Sequence, residues 1–97
     1  MPEPIDGLRE RVREIDRRIV GLLCERMAAA LEIGRAKIRL GIPIEDPERE
    51  QQVLSFVLNL PHAPLDREHL TGLYRHIISM HREAQIRLLH MPNEEAP

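Results

Sequence analysis

The sequence predicts an all-α protein of three helices per chain, long, short and medium, assembled as a helical homodimer. Three observations carry this. From Ile5 to Leu40 one heptad column reads Ile5, Val12, Ile19, Arg26, Ile33, Leu40 and a second reads Leu8, Ile15, Leu22, Ala29, Ala36, with no internal proline. Helix openings and stops follow in order: Gly41, Asp46-Pro47-Glu48, Pro61 and Pro64, then Asp66. Nowhere does apolar and polar residue alternation mark a strand, and neither an internal repeat nor a glycine-rich phosphate loop is found.

The first helix is expected over Ile5 to Leu40, with Gly41 as its stop. At about 1.5 Å per residue it spans roughly 50 Å, whereas a compact domain of this size has a radius of gyration of about 13 Å. Such a helix must be packed along its length, most simply against a second copy of the chain. Asp46 as N-cap, Pro47 at the first helical position and an acid in the first turn open a second helix, which ends near Asn59. Asp66 caps a third, from Arg67 to about His90. Residues 1–90 read as one domain and 91–97 as a disordered tail.

Composition narrows the function classes. A chain of 97 residues with one Cys, one Tyr, one Phe and a formal charge of -2 has an almost wholly aliphatic, thin core, which again favours oligomerisation. The near-balanced charge gives no field for nucleic acid. Met-Pro-Glu-Pro is not a basic region leading into an apolar run, and no stretch approaches about 18 consecutive apolar residues. A cytoplasmic location without membrane association is expected. Cys24, alone in the chain, reads as a packed thiol.

Polar residues that intrude on the apolar stripes are the candidate site. Arg26 stands in the first heptad column where an aliphatic is expected, and a flanking column of Arg9, Asp16, Leu23, Ala30 and Lys37 borders the same face. On the third helix Leu70, Ile77 and Ala84 form a column joined by Leu73, Met80 and Leu88, with His81 and Gln85 one turn apart on its edge, where both can look inward. Polar groups on a buried face cost free energy unless something satisfies them, and an anion suits Arg26 and Lys37. These two are close to three turns apart, about 16 Å along one line, and their side chains can converge on a small dicarboxylate, a guanidinium pairing bidentately and an ammonium offering a point charge. Arg9 lies about 25 Å from Arg26, so it can join that site only from an antiparallel partner. Plainer roles exist for each: Arg26 in an ion pair with Glu25 or Glu32 of a neighbouring chain, Lys37 reaching water, Gln85 a solvated edge residue, His81 a hydrogen-bonded interface residue. His62, His69, His76 and His90 lack metal-ligand spacing, and no Ser or Cys has a nucleophile's context, so neither metal nor cofactor is expected.

Arg9, the run from Arg26 to Lys37 containing Glu32-Ile33-Gly34-Arg35-Ala36-Lys37, Asp46-Pro47-Glu48-Arg49-Glu50, and Tyr74-Arg75-His76-Ile77-Ile78-Ser79 with Gln85 closely resemble the all-helical chorismate mutases. The resemblance covers roughly residues 5 to 90 and is specific as a set. It implies an intertwined homodimer, chorismate as substrate and prephenate as product, on the route to phenylalanine and tyrosine. It also implies that Arg26 and the partner subunit's Arg9 hold the two carboxylates, and that Lys37 and Gln85 donate to the ether oxygen whose bond breaks. Asp46 and Glu50 would address the ring hydroxyl, with Arg49 supporting the wall. The chain departs from the pattern at His81, where relatives commonly carry a small residue such as Ser that touches a carboxylate. A unimolecular rearrangement needs only a folded conformer and positive charge at the developing enolate, in keeping with the missing nucleophile and metal motifs.

Two other readings compete. The related isochorismate-pyruvate lyases of salicylate biosynthesis resemble the chain around Pro47-Glu48-Arg49 but tend to lack the carboxylate at Glu50, which favours the mutase. A non-catalytic dimerisation module would need the heptads alone. A regulatory partner enzyme is compatible with the dimer, and the sequence identifies none.

Overall fold

In the computed structural model, which describes residues 4–91, the chain forms three helices: α1 Pro4–Leu40, α2 Pro47–Leu58 and α3 Arg67–Leu88. The expected disordered tail lies, beyond Met91, outside the described residues. Among the described residues no helix is long and apolar enough to cross a membrane.

Each helix begins and ends where local chemistry dictates. Asp6 in the first turn of α1 and Lys37 and Arg39 in its last complement the helix dipole. Gly41 then adopts φ +69°. Its N–H bonds the Ile38 carbonyl at 3.2 Å and the Ile42 N–H bonds that of Lys37 at 2.9 Å, the paired closure of a Schellman motif. Asp46 caps α2 by accepting from the Arg49 N–H at 3.1 Å. Asp66 caps α3 through the His69 N–H at 2.7 Å, and the Asp66 carboxylate is held below its ordinary pKa first by that backbone bond and then by the His69 side chain. α3 ends at Leu88, two residues short of the expected His90.

α3 packs against both α1 and α2, which do not pack on each other. Its inner face comprises Leu70, Ile77 and His81, and it meets Leu54 and Val57 of α2 and the small residues Ala30 and Gly34 of α1 as the buried positions of those helices. His81, expected on the edge of the stripe and able to look inward, does so and is 6% exposed. One expectation changes: Leu73, expected to join the column, is 52% exposed. The face α3 presents is set by contact with two helices at once, and its 70, 77, 81 spacing turns Leu73 away from both.

On α1 the buried positions are Ala30 and Gly34, one turn apart, and the two aliphatic columns stay largely open. Ile5, Leu8, Val12, Ile19, Leu22 and Ile33 are about half exposed or more. Cys24, expected to be packed, is likewise exposed, because none of the described residues covers that stretch of α1. With extents of 60 × 31 × 15 Å and a radius of gyration of 17.5 Å, the single chain exceeds the roughly 13 Å of a compact domain its size.

Candidate active site

A cavity of about 280 Å³ lies where the C-terminal half of α1, the loop after it, α2 and α3 converge. That is near the lower end of small-molecule sites, about 300 Å³. α1 contributes Arg26 and Lys37, positions three turns apart on one line, with Ala30 between them. Ile44, buried in the loop, closes one side, and its carbonyl accepts from Lys37 Nζ at 3.2 Å, which fixes the ammonium at the end of the cavity. The Schellman turn makes this possible by folding the chain back immediately after Leu40. The Arg26 guanidinium sits 5.7 Å from the centre of the Tyr74 ring, a cation–π contact that steadies it from α3.

The first turn of α2 supplies Asp46, Arg49 and Glu50. Asp46 uses its side chain as the helix cap, and Arg49, at the exposed rim, donates to Gln52 Oε1 at 3.2 Å. Glu50 receives Arg82 Nη1 of α3 at 2.7 Å, and this carboxylate raises the Arg82 pKa, mainly through the hydrogen bond and then through its charge.

From α3 come Ile78, His81, Arg82 and Gln85. Gln85 Nε2 donates to the Ala30 carbonyl at 2.7 Å, which uses one amide hydrogen and leaves the second for another acceptor. Gly34 lets this side chain lie where it does, since a Cβ there would stand 3.0 Å from Gln85 Cγ and from Leu88 Cδ1. His81 Nδ1 is 2.5 Å from the Ile77 carbonyl. A carbonyl only accepts, so Nδ1 carries a hydrogen, and the buried Nε2 has no hydrogen-bond partner among the described residues.

Seven of the eight site residues expected from sequence, Arg26, Lys37, Asp46, Arg49, Glu50, His81 and Gln85, line this one cavity. Arg9 does not. Its side chain is 70% exposed on the first turns of α1, 3.8 Å from Asp6. Sequence reasoning missed Arg82 and gave no role to Tyr74. Arg82 was open to discovery by spacing, because Ile78, Arg82 and Gln85 fall on one face at helical intervals. Among the described residues no group of three or more His, Cys, Asp and Glu side chains is placed to hold a metal ion.

Residues 8–86 match the family described as chorismate mutase type II. The chain is 36% identical over 76 residues to the bifunctional chorismate mutase/prephenate dehydratase of Escherichia coli K12, an alignment spanning 77% of this chain and 20% of that protein. It thus spans about a fifth of the length of that relative. Among solved structures, form II of the chorismate mutase of Thermus thermophilus superposes with a TM-score of 0.84 at 33% identity, covering 88% of this chain and 97% of the other. The chorismate mutase of Helicobacter pylori in complex with prephenate gives 0.80 at 29% identity, with 92% and 97% covered.

Proposed function

The chain belongs to the chorismate mutase type II family, and on that premise we propose that it rearranges chorismate to prephenate as a cytoplasmic, cofactor-free homodimer in phenylalanine and tyrosine biosynthesis. The observation that carries the reading is one cavity lined by Arg26, Lys37, Glu50 and Gln85 together. Chorismate is a dicarboxylate, and four cationic side chains on the wall, Arg26, Lys37, Arg49 and Arg82, against two carboxylates, Asp46 and Glu50, leave a surplus of two positive charges.

The reaction breaks the ether C–O bond while a C–C bond forms within the same molecule, and negative charge grows on the ether oxygen. Lys37 and the free amide hydrogen of Gln85 donate to that oxygen. Both are anchored by main-chain carbonyls, Ile44 for Lys37 and Ala30 for Gln85, so little reorganisation is needed as charge develops. Arg26 takes a carboxylate, Glu50 accepts the ring hydroxyl, and Asp46 and Arg49 border it. Confinement holds the side chain over the ring, which supplies the near-attack conformer a unimolecular reaction requires.

Arg9 completes the site from the partner subunit. The exposed aliphatic columns of α1 support an intertwined dimer, in which the N-terminal half of each α1 covers the other chain and brings its Arg9 to the second carboxylate. The test is ultraviolet detection of chorismate consumption by the purified protein, with prephenate identified as product. A protein that consumes no chorismate, or that releases salicylate and pyruvate from isochorismate instead, refutes the proposal.

A further inference from the structure

A carboxylate on the wall of a cavity that receives a dicarboxylate repels its own ligand unless its charge is balanced. Glu50 is in that position, and Arg82 balances it. Arg82 and Glu50 are 32 residues apart in sequence and joined at 2.7 Å. Theirs is the one ion pair among the described residues that links two helices; the others join residues three apart. It is also the most sheltered, with side chains 33% and 30% exposed where every other pair exceeds half. The bond reaches Glu50 Oε2, and Oε1 has no hydrogen-bond partner among the described residues. Both side chains line the cavity.

We propose that Arg82 is a positioning residue of this site: it fixes Glu50 through Oε2 so that Oε1 accepts the ring hydroxyl, and it cancels the repulsion between Glu50 and the substrate carboxylates. The assignment rests on chorismate being the ligand. Arg82 acts through Glu50, and removing it costs binding only while residue 50 is charged. Without Arg82 the cavity surplus falls from two positive charges to one, and an uncompensated carboxylate faces the substrate.

The experiment is a double-mutant cycle on chorismate kinetics with Arg82→Met, Arg82→Lys, Glu50→Gln and the double variant Glu50→Gln/Arg82→Met, each checked for helicity and thermal unfolding. Arg82→Met is expected to raise KM about tenfold, as loss of one partner from a partly buried charge pair does. Arg82→Lys should stay within about threefold of the original protein, since an ammonium keeps the charge. In the Glu50→Gln background, Arg82→Met should change KM less than about twofold, a non-additivity that marks one residue acting through another. An equal KM rise in both backgrounds would mean that Arg82 contacts substrate directly or merely supports the fold, and no rise in either would remove its role; both overturn the assignment. Failure of the unmutated protein to consume chorismate would instead bring down the functional reading beneath it.

Discussion

The two halves of α1 have the same helical periodicity and opposite surroundings. From Arg26 to Leu40 the helix is met by α3 and by its own return loop, Ala30 and Gly34 are buried, and polar side chains find partners on other elements. From Pro4 to Leu23 no second helix approaches, aliphatic residues lie open, and the ion pairs Asp6–Arg9, Glu10–Arg13 and Glu14–Arg17 run along the helix itself. Such exposed pairs stabilise by about 0.3–0.5 kcal/mol each, far too little to explain why a chain keeps an uncovered apolar stripe. The proposed dimer accounts for the stripe, and on that reading the labour divides within one helix: one half builds a cavity and the other covers a second chain.

The largest effects should come from the cavity half. Lys37→Ala and Gln85→Ala each remove a donor fixed by a main-chain carbonyl, and each should lower kcat by about two decades or more, the usual scale for a preorganised donor to developing negative charge. Circular dichroism and sedimentation should show helix content and assembly close to the original. Losses below threefold in both variants would show that the cavity is not where the ether oxygen lies.

The N-terminal half should matter as much, but only across chains. Arg9→Ala and Lys37→Ala homodimers should both be nearly inactive. Unfolded together in equal amounts and refolded, about half of the dimers become mixed if subunits pair at random, and each mixed dimer has one site with its own Lys37 and the partner subunit's intact Arg9, so about a quarter of the original activity should return. Recovery no greater than in either variant refolded alone, with mixed dimers confirmed by mass, would show that Arg9 serves its own chain or none, and the division of α1 would collapse.

The fold was legible because each of its signals is local. Caps at Asp46 and Asp66, the stop at Gly41 and the heptads of α1 depend on residues within a turn or two, and the helix boundaries follow from them to within about two residues. Part of the cavity was legible too: Arg26, inside an aliphatic column, stands out against its period, as Lys37, His81 and Gln85 do beside theirs, whereas Asp46, Arg49 and Glu50 were expected there only through the family resemblance. What could not be read was which face each helix turns inward. A heptad count cannot distinguish a face that docks within the chain from one that waits for a partner, so Cys24 was expected to be packed and Leu73 to be covered. Nor does a period reveal a tertiary pair: Arg82 meets Glu50 only because α3 crosses α2 at that height, and His81 is drawn into the core by the same crossing.

Glycines sharpen the same contrast at smaller scale. A Cβ on Gly34 would stand 3.0 Å from Gln85 Cγ and Leu88 Cδ1, whereas one on Gly21 would meet nothing within 4 Å. Helix propensity favours alanine over glycine by about 1 kcal/mol at either site. Gly34→Ala should therefore leave stability nearly unchanged, the crowding offsetting the propensity gain, while a shift of Gln85 by a few tenths of an ångström lowers kcat about tenfold. Gly21→Ala should keep full activity and raise the melting temperature if that face is open in solution; a lower melting temperature would report partner atoms against Gly21. Full activity in Gly34→Ala would show that the placement of Gln85 is loose.

The smallest effect should come from Asp66, which does not line the cavity. Its carboxylate caps α3, and its pKa is lowered in the folded chain, first by the His69 backbone N–H and then by the His69 side chain. A carboxylate with a lowered folded pKa contributes stability that is fully present above its unfolded pKa of about 3.9 and is lost as pH falls through the folded value. Asp66→Ala should thus lower the melting temperature by only a few degrees at neutral pH. The gap between variant and original should narrow as pH is lowered below about 4, once the original carboxylate also becomes protonated. Because α3 carries Tyr74, His81, Arg82 and Gln85 well downstream of its cap, turnover at saturating chorismate should stay within about twofold of the original. A cap variant that instead loses activity in step with Lys37→Ala would show that the first turn of α3 is coupled to the cavity, and that the boundary between the working and structural parts of the chain lies elsewhere than the packing of its helices indicates.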